Sequence, residues 1–201
     1  MFGRFLELSL ATPDIAASVR FYEQLGFRQL PCTDSWSHAY CALGDGQVTL
    51  GLHQREEPHA APCFVHAGLA AHARALRDAG FVPEVERLGF EQFHEVQLRD
   101  PDGGDILLLE ARTFSPAQIR ADASRCGAFA GWSLPTSQPD AQAAFWERAG
   151  LVAFEPQTVR ISKLNPSKSN DFAVRYDFAF PVRGSEWTKV RAAWSDSRWR
   201  R

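Results

Sequence analysis

Long hydrophobic runs and clustered cysteines are both missing from this 201-residue sequence. No apolar stretch approaches the roughly 18 residues that a membrane-spanning helix needs. Glu7 and Asp14 interrupt the beginning of the chain, where a secretory signal would stay apolar. The 4 cysteines are too few for a disulfide framework and too far apart for CxxC motifs. We therefore expect a folded, cytoplasmic protein with free thiols and no membrane partner.

Several motifs that would indicate common enzyme classes are also missing. The sequence contains no GxSxG, GxGxxG, P-loop or HExxH pattern, so nothing in it indicates a hydrolase, a dinucleotide enzyme or an NTPase. Its 45% hydrophobic and 23% charged residues are close to the average of globular proteins. The composition therefore favours a packed domain and excludes a disordered or collagen-like chain.

Lysine is rare, and its distribution divides the chain. Residues 1–156 hold 12 Lys+Arg against 20 Asp+Glu, whereas residues 157–201 hold 10 against 4 and include Lys163, Lys168 and Lys189. The same segment carries three of the 6 tryptophans. We treat 157–201 as a basic, Trp-containing tail of uncertain structure. A solvated basic segment explains this charge as well as nucleic-acid binding does, so we do not expect a nucleic-acid partner.

Three segments repeat one pattern, in which an alternating strand precedes an amphipathic helix that ends at a glycine. They are residues 6–30, 62–85 and 131–155. The first two copies continue into hairpins with Gly-Asp-type turns, at 38–53 and 93–110. The pattern predicts two β-α-β-β-β modules followed by a third copy that extends only as far as β-α-β.

The repeats predict the domain organisation. A linker helix is expected between the second and third copies, because Ser115 can cap it and Pro116 suits its first position. The two modules are predicted at 1–56 and 57–112, and together they form one domain at 1–112. The linker helix is predicted at 113–127, the partial third module at 128–156 and the tail at 157–201.

Two motifs resemble the vicinal oxygen chelate superfamily, which includes glyoxalase I, fosfomycin- and bleomycin-resistance proteins and extradiol dioxygenases. The first is D-x-x-x-S-x-x-F-Y-x-x-x-G-F from Asp14 to Phe27, and the second is D-P-D-G at 100–103. The resemblance implies an α+β, glyoxalase-like fold in which paired βαβββ modules enclose a cavity, here with a third, incomplete module at the C-terminus. It also makes a homodimer the expected assembly.

The resemblance also implies where metal-using members place their ligands. One position, seven residues before the motif aspartate, holds Glu7, which can bind a divalent ion through oxygen. The other implied ligand positions hold Ala61, Leu107 and Leu50, the first-module counterpart of Leu107, and none of these side chains can bind a metal. Since a stable site needs three or four protein ligands, we expect neither a metal nor another cofactor.

A displaced metal site is the alternative to this expectation. It would combine Glu7 with His53, His59, His66 or Glu110. His53 and Glu110 lie three residues after the implied ligand positions, and side chains alternate along a strand. Both are therefore expected to face away from the cavity.

Strand alternation predicts the cavity lining as a mixture of aromatic, polar and aliphatic side chains. Within it, Glu7, Glu95 and His38 could form an acid–base set, because a desolvated carboxylate beside an imidazole can titrate near neutral pH. The predicted lining is Glu7, Ser9, Trp36, His38, Tyr40, Leu50, Phe93, Glu95, Gln97 and Leu107.

A pocket with this lining predicts binding of a small amphipathic or aromatic molecule without a metal, as in bleomycin-resistance proteins. Two alternatives stay open from the sequence. One is a metal-dependent enzyme resembling lactoylglutathione lyase or a dioxygenase, so the chain is not assigned as an enzyme at this point. The other is an interaction scaffold whose cavity is filled by its own side chains.

Overall fold

A computed structural model of the chain contains two compact units, Met1–Phe129 and Ala130–Arg201. The predicted linker helix lies largely outside the residues that the structure describes, and Trp36 lies outside them altogether. The described residues are 1–32, 38–57, 59–110, 124–126, 129, 132–153, 157–160 and 172–179. Within them, no helix combines the length and apolar character needed to cross a membrane.

Unit 1 contains the two predicted modules, each in the order β-α-β-β-β. Module one consists of β1 (Arg4–Thr12), α1 (Ile15–Gln24), β2 (Arg28–Gln29), β3 (Tyr40–Gly44) and β4 (Thr49–Gln54). Module two consists of β5 (Ala60–His66), α2 (Leu69–Asp78), β6 (Val85–Arg87), β7 (Glu95–Arg99) and β8 (Asp105–Glu110). The repeated supersecondary unit and the α+β class are confirmed.

The two modules share one eight-stranded sheet. Its strand order is β2-β3-β4-β1-β5-β8-β7-β6, so the first strands of the two modules meet in the middle as an antiparallel pair. The first and last strands of each module pair in parallel, β1 with β4 and β5 with β8. This arrangement places β1 and β5 at the centre, where side chains from both modules can meet.

One face of this sheet is lined by buried apolar side chains. Both helices contact its strands and contribute buried apolar residues, Val19 from α1 and Leu69 and Leu76 from α2. We call this the helix face, and we call the opposite face, which carries Glu7, the second face. The buried strand residues of the helix face include Leu8, Leu43, Leu50, Leu52, Val96, Leu98, Ile106 and Leu108.

Leu50 therefore does not line the second face, contrary to the prediction. The prediction aligns Asp45-Gly46 with Asp102-Gly103, and this alignment differs by one residue from the register of the structure. Asp45 accepts hydrogen bonds from the amides of Gln47 and Val48, whereas Asp100 accepts them from Asp102 and Gly104, so the second turn is one residue longer. A shift of one residue changes the face of every following side chain.

The strand pairing gives the corrected correspondence between the modules. Gly51 pairs with Ser9 on β1, and Leu107 pairs with Cys63 on β5, so Gly51 is the first-module counterpart of Leu107. His53 lies two residues after Gly51, and it therefore corresponds to Leu109, two residues after Leu107, rather than to Glu110. His53 therefore faces the side that carries Glu7, and the expectation that it points away is wrong.

The two helices of unit 1 are capped in different ways. Asp14 caps α1 locally, since its carboxylate accepts a hydrogen bond of 2.8 Å from the amide of Ala17. Gly68 precedes α2 and has no side chain to do so. The cap comes instead from Glu110 at the end of β8, which accepts from the amides of Gly68 at 2.6 Å and Leu69 at 2.8 Å.

This cap gives a pH-dependent prediction. Partial burial alone would raise the pKa of Glu110, but the amides of Gly68 and Leu69, together with His94, lower it below its usual value of 4.5. A depressed carboxylate pKa stabilises the fold above the unfolded pKa, and this stabilisation is lost as the pH falls through the folded pKa. We expect Glu110→Ala to cost about 1 kcal/mol at pH 7 and progressively less below pH 4.5.

Urea unfolding at pH 7 and at pH 3 measures this difference. Glu57→Ala, a change of the same kind at an exposed loop position, serves as the matched control and should be nearly neutral at both values. An equal cost of Glu110→Ala at pH 7 and pH 3 would show that the carboxylate does not act through its charge.

Unit 2 begins with the β-α-β pattern of the third repeat. Its elements are β9 (Trp132–Thr136), α3 (Pro139–Ala149), β10 (Val152–Ala153), β11 (Gln157–Arg160) and β12 (Phe172–Ala179). The strands β9, β10 and β11 all pair antiparallel with β12. This pairing differs from that of modules one and two, in which the first and last strands are parallel.

Candidate functional site

The second face of the unit 1 sheet is shaped by a β-bulge in β1. Phe5 pairs with Phe64 and Glu7 with Cys63, so Leu6 is an extra residue in the ladder. A bulge of this kind lets two consecutive side chains serve one face. Leu6 accordingly packs against Cys63 and its neighbours, next to Glu7. The bulge thus places an aliphatic side chain and a carboxylate side by side at the centre of the sheet.

Glu7 is the most deeply buried charged residue of this face, with 1% of its surface exposed. The Tyr40 hydroxyl donates a hydrogen bond of 2.5 Å to Oε2, and Nε2 of His53 lies 3.5 Å from Oε1. A buried carboxylate is costly unless it is hydrogen-bonded or paired. The hydrogen bond from Tyr40 on β3 therefore stabilises Glu7 in the interior, and His53 on β4 lies beside the carboxylate.

Gly51 provides the space in which the Glu7 carboxylate lies. A Cβ atom at Gly51 would stand 2.0 Å from Oε1 and 2.5 Å from Oε2 of Glu7. No real carbon atom can approach so closely, so any other residue at Gly51 would displace the carboxylate. Gly51 thereby allows Glu7 to reach across β4 to His53 and Tyr40.

His38 extends these contacts toward the surface. Its Nε2 lies 2.8 Å from Nδ1 of His53, and His53 is itself only 4% exposed. Burial, followed by the nearby His53 and Arg55, lowers the pKa of His38 below 6.5, so that His38 is neutral at pH 7. We call Glu7, Tyr40, His53 and His38 the Glu7 cluster; it runs from a buried carboxylate to a half-buried imidazole.

Tyr40 acts as a donor in this cluster. Burial, and then the charge and hydrogen bond of Glu7, raise the pKa of Tyr40 far above its ordinary value of 10.0. The phenol therefore stays protonated over the whole physiological range and continues to donate to the carboxylate.

An apolar patch adjoins the Glu7 cluster on the module-two side. Cys63, Val65 and Leu109 are buried there, and Leu6 and Leu107 pack against them. Burial, followed by the charges of Glu7 and Glu95, raises the pKa of Cys63 well above 9.0, so the thiol is not ionised at pH 7. We call Leu6, Cys63, Val65, Leu107 and Leu109 the apolar patch.

The predicted acid–base set is only partly brought together. Glu7 and His38 belong to one cluster, joined by His53, which the sequence prediction placed on the wrong face. Glu95 lies on β7, beyond β5 and β8, and forms an ion pair of 2.6 Å with Arg87. Gln97 lies half-buried on the same strand, and Phe93 is 42% exposed in the preceding loop.

The other candidates for a displaced metal site lie apart from Glu7. His59 contacts Asp105 at 3.2 Å, and His66 stacks on His72 with ring centroids 3.6 Å apart. Glu110 caps α2. Across the described part of the chain, no group of three or more His, Cys, Asp or Glu side chains is arranged to hold a metal ion.

The residues at the implied metal positions do not fit a metal either. Gly51, Ala61 and Leu107 offer no ligand atom. His53 also lies between Glu7 and His38, since it faces one through Nε2 and the other through Nδ1. Glu7 and His38 therefore approach opposite sides of one ring and cannot converge on a single ion. The cluster is a linear array and lacks the geometry of a chelate.

Paired βαβββ modules that share a central sheet, with a polar cluster where their first strands meet, define a glyoxalase-like protein. The family model of the Glyoxalase/Bleomycin resistance protein/Dioxygenase superfamily matches residues 4–108. The chain belongs to this superfamily. Comparison with the curated proteins yields no match.

Similar solved structures include two dioxygenases and a glyoxalase. BphC, a halotolerant catechol dioxygenase, is 18% identical with a TM-score of 0.51 over 79% of this chain and 58% of its own. A catechol 2,3-dioxygenase is 17% identical, with a TM-score of 0.49 over 77% and 56%. The Mn(II)-bound glyoxalase from Novosphingobium aromaticivorans is 13% identical, with a TM-score of 0.46 over 75% and 53%. The chain thus spans little more than half the length of these proteins, and the likeness concerns the fold.

Proposed function

We propose that unit 1 binds a small amphipathic or aromatic molecule on the second face of its sheet, without a metal. The observation that carries this proposal is the juxtaposition of the Glu7 cluster and the apolar patch on adjoining strands. A ligand whose polar end meets the cluster and whose apolar body covers the patch would satisfy both.

The burial gradient supports the same proposal. Glu7, His53 and Cys63 form a buried floor, whereas His38, Tyr40 and Leu107 are only partly covered. Buried polar groups that converge beside partly exposed apolar groups are typical of small-molecule sites. The partly covered residues are the ones that a ligand can reach first.

The cellular setting of the proposal is the cytoplasm, and its assembly is a homodimer. All 4 cysteines are free thiols, in keeping with a reducing compartment. The homodimer is expected from the family resemblance and is tested by sedimentation equilibrium.

A binding screen on chelator-treated protein tests the proposed function. The probes are aromatic alcohols, amines and ketones, and their binding is measured by thermal shift and calorimetry after elemental analysis has verified metal removal. We expect saturable binding that Leu107→Arg weakens at least tenfold, because the cation would cover the apolar patch. Val82→Arg is the matched control, since Val82 is 82% exposed away from the site.

Two results would contradict the proposal. One is stoichiometric retention of a metal whose removal abolishes binding. The other is the absence of saturable binding across the whole panel.

A further inference from the structure

We propose that Glu7, His53 and His38 form a metal-independent proton relay, in which His38 exchanges a proton with the bound molecule. This inference rests on the binding site proposed above but adds chemistry that binding alone does not require. In this relay, the Glu7 carboxylate at the implied metal position faces the histidine pair as its inner charge and does not act as a metal ligand.

The distances within the array define the path of the relay. Nε2 of His53 lies 3.5 Å from Oε1 of Glu7, within ion-pair distance but without a hydrogen bond between the two atoms. Nδ1 of His53 and Nε2 of His38 share a hydrogen bond of 2.8 Å, and the relay uses the tautomer in which His38 donates. The same logic governs triads in which a buried carboxylate orients a histidine, which in turn activates a third residue. Gly51 and Tyr40 hold the carboxylate in place.

The proton step balances without an added reagent. A C–H or O–H proton of the bound molecule moves to Nδ1 of His38, while the Nε2 proton of His38 moves to Nδ1 of His53. The electron pair of the broken bond stays on the molecule as an enolate or oxyanion. The positive charge formed on His53 lies against Glu7, which stabilises it. Reversal of both transfers returns the proton to the same or to a neighbouring atom.

The environment of His38 limits the class of molecule. Because burial, followed by the nearby His53 and Arg55, lowers the pKa of His38, efficient transfer requires a rather acidic substrate proton. Carbon acids flanked by two carbonyl groups meet this requirement. An aryl-substituted 1,3-dicarbonyl compound would also place an aromatic ring on the apolar patch. Benzoylacetone has both features and serves as the probe.

The test follows keto–enol interconversion of benzoylacetone by ultraviolet absorbance, using the full-length, chelator-treated protein. We expect saturable acceleration that His38→Gln and His53→Gln each reduce about 100-fold, the scale of a lost general base. Calorimetry measures the affinity for benzoylacetone separately, so that the rates of the variants are compared at saturating probe. His72→Gln, on the surface of α2, is the matched control and should retain the full rate.

The pH profile separates a positioning role of His53 from a merely structural one. The rate should rise with pH through the pKa of His38, and His53→Gln should shift this midpoint while circular dichroism shows that the variant is folded. Because His38 is half-buried, its variant remains informative if the buried His53 variant fails to fold.

Binding of benzoylacetone without acceleration would overturn the relay and leave the proposed function standing. Unchanged acceleration in His38→Gln, or acceleration that disappears on chelation, would also overturn the relay. Failure of the whole probe panel to bind would overturn the proposed function itself, so the two failures are distinguishable.

Discussion

Replacing Gly51 with alanine is expected to destabilise unit 1 by about 3 kcal/mol, the upper range for overpacking a buried site. The added Cβ would lie 2.0 Å from Oε1 of Glu7, inside a sheet whose backbone is held on both sides of β4. Relief requires Glu7 to move, which would break its hydrogen bond with Tyr40. The steric clash and the loss of the hydrogen bond therefore both involve Glu7.

Urea unfolding of matched variants measures this effect. Gly44→Ala adds the same methyl group to the neighbouring strand, where it meets only the flexible end of Leu30 at 3.0–3.4 Å and should cost much less. Glu7→Ala in the Gly51→Ala background should recover more than about 1 kcal/mol relative to the sum of the single changes, because the clash is removed. Equal costs for Gly51→Ala and Gly44→Ala would show that the Glu7 carboxylate does not occupy the space at Gly51.

Replacing Tyr40 with phenylalanine is expected to cost about 1.5–3 kcal/mol, the usual range for a hydrogen bond to a charged group. The phenol donates to Oε2 of Glu7 at 2.5 Å, and the carboxylate is too deeply buried for water to replace the lost donor. The effect is thus the cost of an unsatisfied buried carboxylate oxygen, since the aromatic ring itself is retained.

Tyr22→Phe is the control for the loss of a tyrosine hydroxyl. The Tyr22 ring packs against Phe21 and Phe27 on module one, and this packing is unchanged in the variant. Urea unfolding should show a difference below about 0.5 kcal/mol. If Tyr40→Phe costs as much in a Glu7→Ala background as in the native chain, the proposed origin of its effect is wrong.

Sequence periodicity was sufficient to predict the two modules of unit 1, whereas their pairing in a glyoxalase-like fold was implied by the family resemblance. Alternating strands, the Asp14 cap and the glycines at the helix ends are local signals, and their repetition in order predicts β-α-β-β-β modules. Which side chains share a face depends on pairing register, and register depends on the turns. The prediction aligned Asp45 with Asp102, whereas Asp45 is the counterpart of Asp100 and its turn is one residue shorter. The resulting shift of one residue put Leu50 on the wrong face in the prediction and hid His53. Comparison of the two turns is the signal that could have identified His53.

Contacts between residues that are far apart in the sequence could not be predicted from local sequence patterns. Glu110 caps α2 from 41 and 42 residues away, so no pattern around Gly68 could reveal it. The approach of Glu7 to His53 likewise requires β1 and β4 to be aligned and Gly51 to leave space for the carboxylate. Sequence reasoning identified Glu7 and His38 as candidates, and it named His53 only as a possible metal ligand that would face away from the cavity.

The eight-stranded sheet ends in very short strands, and this bears on self-association. The edge strand β2 contains two residues and β6 contains three, with Arg28, Glu86 and Arg87 among them. Short, charged edges offer little backbone for an incoming strand, which is how natural sheets avoid edge-to-edge aggregation. Unit 1 is therefore protected against amyloid-like growth, and a homodimer would have to bury side-chain surface instead of extending this sheet.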